Sequence, residues 1–276
     1  MTSALSRALA LSSLGDRRHR AEIDASWVQG RGVYGGLVAA VLARALEAEA
    51  ERGLALARLT TAFCAPLALG AAVASIEVVR AGRNVATLRA SLSNLDAPGP
   101  AATCMATFAR PRGPGAFTHR GLVRPRSPSP DEVPDGPEEH YFPTFARHFE
   151  FRQCLGPRPF SGSEEARVGG WCRPREGERV DAALVCAVLD AWPPAIVARA
   201  QGWCPVASLE LTIHFLSAWH EPTVAPAGGW LAYDASCDHL EGGLADERAV
   251  LFDATGTPLA TAQQLIAILP SSTRAP

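Results

Sequence analysis

The sequence of 276 residues contains no lysine, so all 26 of its basic side chains are arginine. The 28 acidic residues leave a formal net charge of −2, which excludes a nucleic-acid binder that works through a bulk positive field. The apolar runs are all shorter than the roughly 18–20 residues of a membrane-spanning helix, so we expect no span. The N-terminal segment has neither a cationic leader nor a small-residue cleavage site, which argues against a secretory signal. We therefore expect a cytoplasmic protein.

Patterns of metal and cofactor binding are also missing. The seven cysteines are odd in number, widely spread and never arranged as C-x-x-C, which supports neither a disulfide framework nor a zinc cage. The histidines have no ligand spacing, and the glycines at 30–36 do not form a dinucleotide-binding fingerprint after a strand. We predict no metal site and no cofactor.

Two helical patterns of apolar residues organise the chain. The first runs from Val33 to Gly53 and the second from Val180 to Ala200, where Pro193 and Pro194 are expected to break or kink it. Each is followed by four strand-like runs separated by turn residues. These runs are 59–64, 73–80, 85–94 and 102–109 in the first half, and 207–216, 229–236, 243–253 and 259–269 in the second.

A helix followed by an antiparallel meander favours an α+β fold over a Rossmann sheet. The recurrence of this order at an offset of about 150 residues indicates a duplicated unit. Segments 20–27 and 148–156 are the expected opening strands of the two units. The stretch 113–143 is dense in Pro, Gly, Ser and charge, so we interpret it as a linker between domains 1–112 and 144–276.

Several segments in this order resemble the acyl-CoA thioesterases of the hotdog fold. In the first half they are GRGVYGG at 30–36 and VVRAGRNVATLRASL at 78–92. In the second half, runs 207–222, 229–236 and 251–264 resemble the closing strands of bacterial acyl-CoA thioesterase II. The resemblance implies a tandem double hotdog, with two antiparallel sheets each wrapped around a long helix. It also implies hydrolysis of an acyl-CoA thioester to a free carboxylic acid and CoA by activated water, without a covalent intermediate or a metal.

The same resemblance implies three catalytic residues. The family's Asp falls on Asp190, within the second predicted helix, and its hydroxyl falls on Ser208, where acyl-CoA thioesterase II has threonine. The amide falls on Gln264 or its neighbour Gln263, of which strand alternation directs only one inward, and we prefer Gln264 because of its spacing to Gly256 and Ala260. The segment AWPPA after Asp190 departs from the family's usual sequence.

Each of these residues also has a plainer interpretation. Asp190 suits a surface or ion-paired carboxylate, Ser208 a hydroxyl that satisfies a neighbouring backbone group, and Gln264 an ordinary strand residue. Ser208 lacks the G-x-S-x-G elbow of a hydrolase nucleophile. Gly35 and Gly36 suit either close packing of helix on sheet or binding of the thioester through amides at a helix start.

The sequence leaves alternatives open for both the substrate and the function. An acyl-carrier-protein thioester is an alternative to acyl-CoA, and the linker arginines suit contact with CoA phosphates less well than a solvated surface. A non-catalytic acyl-CoA or lipid-binding protein on the same scaffold is the main rival function. A hotdog hydratase or dehydratase is weaker, because we find no histidine near either predicted helix. Uncovered sheet edges and faces favour a homo-oligomer.

Overall fold

The computed structural model describes residues 2–112, 117–134, 143–216 and 229–269. In each half, a helix precedes four antiparallel strands, as the sequence predicted. The first half contains α1 (Ala4–Ala8), β1 (Ser12–Gly15), β2 (Arg18–Ile23), β3 (Val28–Gln29), β4 (Gly32–Val33), α2 (Gly35–Glu49), β5 (Ala55–Phe63), β6 (Gly70–Arg80), β7 (Val85–Asn94) and β8 (Ala102–Ala109). The second half contains β9 (Phe149–Leu155), β10 (Arg167–Pro174), α3 (Ala182–Leu189), β11 (Val206–Phe215), β12 (Leu231–Glu241), β13 (Leu244–Asp253) and β14 (Pro258–Ile268).

The expectation of two separate sheets is wrong: β3 pairs with β4, and the other twelve described strands, from both halves, form one antiparallel sheet. Its order is β1-β2-β6-β7-β8-β5-β11-β14-β13-β12-β10-β9. The halves meet where β5 pairs with β11, with Thr60 opposite Thr212 and Leu59 opposite Ile213. The Thr212 hydroxyl donates to the Thr60 hydroxyl across this seam at 3.0 Å. Direct strand pairing therefore joins the two halves through their backbones.

The first predicted helix is present but is shorter at both ends, as Gly35–Glu49 in place of 33–53. Most of its side chains are small or aliphatic and ten of them are buried, so the helix lies inside the fold rather than on its surface. The chain leaves the helix toward Gly53, whose φ of +83° lies in the left-handed region that glycine tolerates best.

The predicted break at Pro193 and Pro194 is confirmed, and the second helix is so short that the expectation of a long helix in each half is wrong for the second half. α3 covers only Ala182–Leu189, and all eight of its residues are buried. Pro193 cannot donate to the carbonyl four residues earlier, and the residue before a proline avoids helical dihedrals. The helix therefore ends at Asp190, and the chain continues through a turn into a short 3-10 helix at Ala195–Arg199.

The two helices pack against each other in the interior. The hydroxyl of Tyr34, just before α2, donates to the carbonyl of Ala187 in α3. A Cβ on Gly36 would lie 2.3 Å from the Tyr34 hydroxyl oxygen and 2.9 Å from the Ala187 carbonyl oxygen. Glycine at position 36 is therefore required for the start of α2 to approach α3 this closely. Asp181 caps α3 by accepting from the Leu184 N–H at 2.9 Å and also accepts from Arg44 of α2.

The strand predictions agree with the structure except near glycines. The runs 85–94 and 102–109 match β7 and β8 in full, and the other six predicted strands are present with shifted ends. β10 was missed, because its paired glycines weaken the strand pattern. A Cβ on Gly169 would lie 2.3 Å from the Tyr233 carbonyl oxygen, so glycine is needed for this close pairing. Residues 217–228, which include the end of the run 207–222, lie outside the described residues.

The predicted linker contacts the sheet through its described part, residues 117–134. There the Pro128 carbonyl accepts from Trp171 Nε1 at 2.8 Å, and the Arg124 guanidinium lies 4.8 Å from the Trp171 ring centroid. Apart from a 3-10 turn at Pro130–Glu132, no helix or strand forms within 117–134. The domain boundaries 1–112 and 144–276 stay a prediction.

Candidate active site

Asp190 lies at the C-terminal end of α3, which it caps, whereas the sequence predicted it within the helix. Its φ of −105° and ψ of 5° mark the point where the helix ends. The side chain is partly buried, and this burial raises the pKa of Asp190 to about 6. Hydrogen bonds from Gln264, the Gly36 backbone and Ser208 favour the charged form and oppose that rise. At neutral pH the group is therefore a carboxylate that is more basic than an exposed aspartate.

Ser208 lies near the start of β11, beside an irregularity in the strand pairing. Ser208 is opposite Ile266 of β14, whereas Glu210 is opposite Leu265, so Leu209 is an extra residue in a β-bulge. A bulge of this kind changes which side chains face inward. Ser208 is only partly exposed and its hydroxyl faces the interior, toward Asp190 and Gln264.

Gln264 is the inward-facing member of the Gln263–Gln264 pair. Its side chain is 6% exposed, while Gln263 points outward and donates to Asp246 at 2.9 Å. The Gln264 amide Nε2 donates to Asp190 Oδ1 at 2.7 Å and to Ser208 Oγ at 2.5 Å. The three residues that the sequence singled out therefore come together from three different elements: the end of α3, β11 and β14.

The start of α2 forms one wall of this site. A Cβ on Gly35 would lie 2.8 Å from Asp190 Oδ2 and 3.3 Å from the ring of Phe63, so glycine leaves room for the carboxylate there. The Gly36 amide hydrogen-bonds Asp190, which places it against the carboxylate rather than in open space. Among the described residues, the Gly35 N–H has no acceptor, as is usual for the first amides of a helix. Gly35 is partly exposed, so this amide is a free donor beside the carboxylate.

Sequence reasoning missed a second buried carboxyl group near the site. Glu247 of β13 lies directly opposite Gln264 in the strand pairing and is 3% exposed. It accepts from the Ala195 N–H at 2.5 Å and from the Tyr233 hydroxyl at 3.4 Å. Burial raises the pKa of Glu247 to about 7, and the nearby Asp190 charge adds to the rise. Its position in the inward series with Ala245, Ala249 and Leu251 was a signal that strand alternation offers.

Other candidate sites do not coincide with this one. A cavity of about 170 Å³ lies beside α1, and its lining includes Trp27, Arg147, His148 and Arg175 but none of Asp190, Ser208 and Gln264. Within the described ranges, no three His, Cys, Asp or Glu side chains group together as potential metal ligands. The helices described in the structure include none long and apolar enough to cross a bilayer.

Family models match both halves of the sequence. The acyl-CoA thioesterase N-terminal domain matches residues 23–109, and the acyl-CoA thioesterase C-terminal domain matches residues 123–268. The chain belongs to the acyl-CoA thioesterase family. The resemblance found in the sequence is thereby confirmed, and family membership supports thioesterase activity in general and an acyl-CoA substrate. No curated protein matches the sequence.

Solved structures show the fold that accompanies this family membership. A conserved protein of unknown function with a hotdog fold from Alicyclobacillus acidocaldarius has a TM-score of 0.86 at 22% identity, covering 98% of this chain and 99% of its own. A putative thioesterase II from Thermobifida fusca has a TM-score of 0.80 at 21% identity, covering 98% of each chain. The TesB protein of Mycobacterium avium subsp. paratuberculosis has a TM-score of 0.78 at 21% identity, covering 96% of this chain and 98% of its own. This member of the acyl-CoA thioesterase family thus has the hotdog fold.

Proposed function

We propose that this protein hydrolyses an acyl-CoA thioester by direct attack of water, with Asp190 as the general base. The observation that carries the proposal is the Gln264 amide, which bonds both Asp190 at 2.7 Å and Ser208 at 2.5 Å. A carboxylate, a hydroxyl and an amide gathered in a largely buried place are suited to hold and polarise a water molecule. The family match makes the thioester the bond to be attacked.

The pKa of Asp190 suits the role of base. Because burial raises it to about 6, the group is largely ionised at pH 7 yet accepts a proton more readily than an exposed aspartate. The Gln264 amide holds Oδ1, and the Gly36 and Ser208 hydrogen bonds restrain the carboxylate further. The Ser208 hydroxyl donates to Asp190 and accepts from Gln264, so it links the two groups, and we assign the role of nucleophile to water.

The reaction follows from these positions. Asp190 takes a proton from water as the water oxygen bonds to the thioester carbonyl carbon, and the carbonyl oxygen becomes an oxyanion. The free Gly35 N–H at the positive end of α2 is the donor that we assign to this oxyanion. The carbonyl then re-forms as the carbon–sulfur bond breaks, and the proton passes from Asp190 to the CoA sulfur. The products are a carboxylic acid and CoA, and Asp190 is again a carboxylate.

Thiol release from a panel of acyl-CoAs, from short to long and including aromatic ones, tests the proposal. We expect Asp190→Asn and Gln264→Ala to lower kcat by about 100-fold or more and Ser208→Ala by about tenfold, as for loss of a general base or a polarising donor. Gln263→Ala is the matched control, because Gln263 neighbours Gln264 on β14 but faces outward, and it should retain wild-type kcat.

Three results would contradict the proposal in different ways. Acyl-CoA binding without thiol release from any substrate would favour a non-catalytic acyl-CoA-binding protein. Wild-type turnover by Asp190→Asn would remove this residue from the reaction. An acyl adduct on Ser208, found by intact-mass measurement after rapid quenching, would replace direct water attack with a covalent route. The same acyl groups carried on acyl-carrier protein, assayed in parallel, show which thioester is preferred.

A further inference from the structure

Asp190 is followed by a turn that contains two prolines and lacks regular secondary structure. The turn begins at the end of α3 and enters the 3-10 helix at Ala195. Its local backbone bonds are few: the Ala191 N–H donates to the Val188 carbonyl at 3.1 Å, while Pro193 and Pro194 have no N–H to donate. Asp190 keeps its position at the end of α3 only if the chain that follows is restrained. A contact beyond the two prolines is therefore needed.

Glu247 binds the far side of the turn. Its Oε2 accepts the Ala195 N–H at 2.5 Å, five residues beyond Asp190. Oε1 accepts the Tyr233 hydroxyl at 3.4 Å, and the Tyr233 ring stacks on Trp192 in the middle of the turn, with centroids 5.5 Å apart and planes within 2°. Glu247 thus holds the turn directly at its end and, through Tyr233, at its centre.

Glu247 is also tied to the other side of the site through the sheet. It lies opposite Gln264 in the pairing of β13 with β14, and Gln264 in turn bonds Asp190. A buried glutamate is costly unless its oxygens are satisfied, and here both accept hydrogen bonds. Since a long-chain apolar residue would fill the same space without that cost, the carboxyl group needs a specific reason to be there.

We propose that Glu247 is a positioning residue, which accepts the Ala195 amide and so holds the turn that carries Asp190 in its working position. This inference rests on the proposed function of Asp190. No hydrogen bond of the described residues joins Glu247 to Asp190, and Glu247 takes no proton in the reaction that we propose. Its contribution depends on the reach of its side chain and on an oxygen acceptor at that place, not on its charge.

The pair Glu247→Gln and Glu247→Asp separates reach from charge. Glutamine has the same length, offers Oε1 to the Ala195 N–H and Nε2 to the Tyr233 oxygen, and carries no charge. Aspartate keeps the charge but is shorter by one methylene, so it withdraws the acceptor from the amide. We expect Glu247→Gln to keep kcat within about threefold of the wild type. We expect Glu247→Asp to lower kcat by about tenfold or more with KM little changed, because moving a catalytic group by about 1 Å lowers the rate strongly.

The controls make the failure of each idea recognisable. Asp246→Asn changes the partly exposed neighbour on β13 and should leave kcat unchanged. Circular dichroism verifies that each variant is folded at the assay temperature. If Asp190→Asn retains turnover, the proposed function fails. If Asp190→Asn is inactive while Glu247→Asp matches the wild type, or Glu247→Gln is impaired and Glu247→Asp is not, only the positioning role is overturned.

Discussion

At the scale of single residues, three carboxyl groups are at least partly buried, so water solvates their charged forms poorly. Burial raises the pKa of Asp190 to about 6 and those of Glu47 and Glu247 to about 7. Each group keeps its proton in the folded chain at pH values where the unfolded chain has lost it. Their contribution to stability is therefore fully present below about pH 4 and is lost as the pH rises through 6 to 7. The candidate site is a place where the fold gives up stability at neutral pH.

Replacement of Asp190 by asparagine should reverse part of that loss. The pKa shift from 3.8 to about 6 corresponds to roughly 2–3 kcal/mol. We expect the free energy of unfolding of Asp190→Asn, relative to the wild type, to rise by about 2 kcal/mol between pH 4 and pH 7, as only the wild type must bury a new charge. Urea unfolding at both pH values measures this. A difference that stays constant with pH, or that falls, would show that Asp190 is not desolvated in the folded state.

Sequence reasoning reached the site at this scale, but only in part. The spacing to Gly256 and Ala260 favoured Gln264 over Gln263, and strand alternation explains why only one of the two faces inward. Strand alternation could not place Ser208, since the bulge at Leu209 changes the alternation and no local pattern marked it. Nor could it show that Asp190 lies beyond the helix end and against the amides of α2, because that contact joins residues about 150 positions apart.

At the scale of elements, α3 is a short helix that depends on the residue capping its start. Eight residues are too few for a stable isolated helix, so caps and packing decide whether it forms. Asp181 provides the cap to Leu184 at 2.9 Å and an ion pair with Arg44 of the other helix. Because α3 ends at Asp190, disorder at the start of the helix would displace Asp190 from the site.

Asp181→Ala should lower the free energy of unfolding by about 1–2 kcal/mol, the usual effect of losing an N-cap. Asp181→Asn separates the two interactions, since asparagine caps a helix equally well but cannot pair with Arg44 as an ion. We expect it to retain most of the stability, because Arg44 and Asp181 are both about one-third exposed and such pairs contribute little. Urea unfolding of the three proteins provides the comparison. An equal loss in both variants would mean that the ion pair, not the cap, is the main contribution.

At the scale of the whole molecule, the sequence predicted the repeated unit but not how the units are joined. Apolar periodicity predicts which face of a strand is buried, but it does not predict which strand pairs with it. The pairing of β5 with β11 turned two expected sheets into one, and the prolines after Asp190 shortened the second helix. The expected homo-oligomer stays a prediction.

The seam between β5 and β11 predicts that the two halves unfold together. Leu59 and Ile213 are opposite each other across it, and both are fully buried. Leu59→Ala and Ile213→Ala should each lower the free energy of unfolding by about 2–5 kcal/mol, although they belong to different halves. Each variant should keep a single urea transition that coincides by far-UV circular dichroism and tryptophan fluorescence.

The double variant makes this prediction quantitative. Side chains in contact across a seam share the same packing, so its loss should differ from the sum of the single losses by about 0.5–3 kcal/mol. Two independent domains would instead give two transitions, with Leu59→Ala moving one midpoint and Ile213→Ala moving the other. That outcome would mean that the predicted domains 1–112 and 144–276 unfold as separate units. A single coupled transition would mean that the site between α3, β11 and β14 is held by the whole sheet.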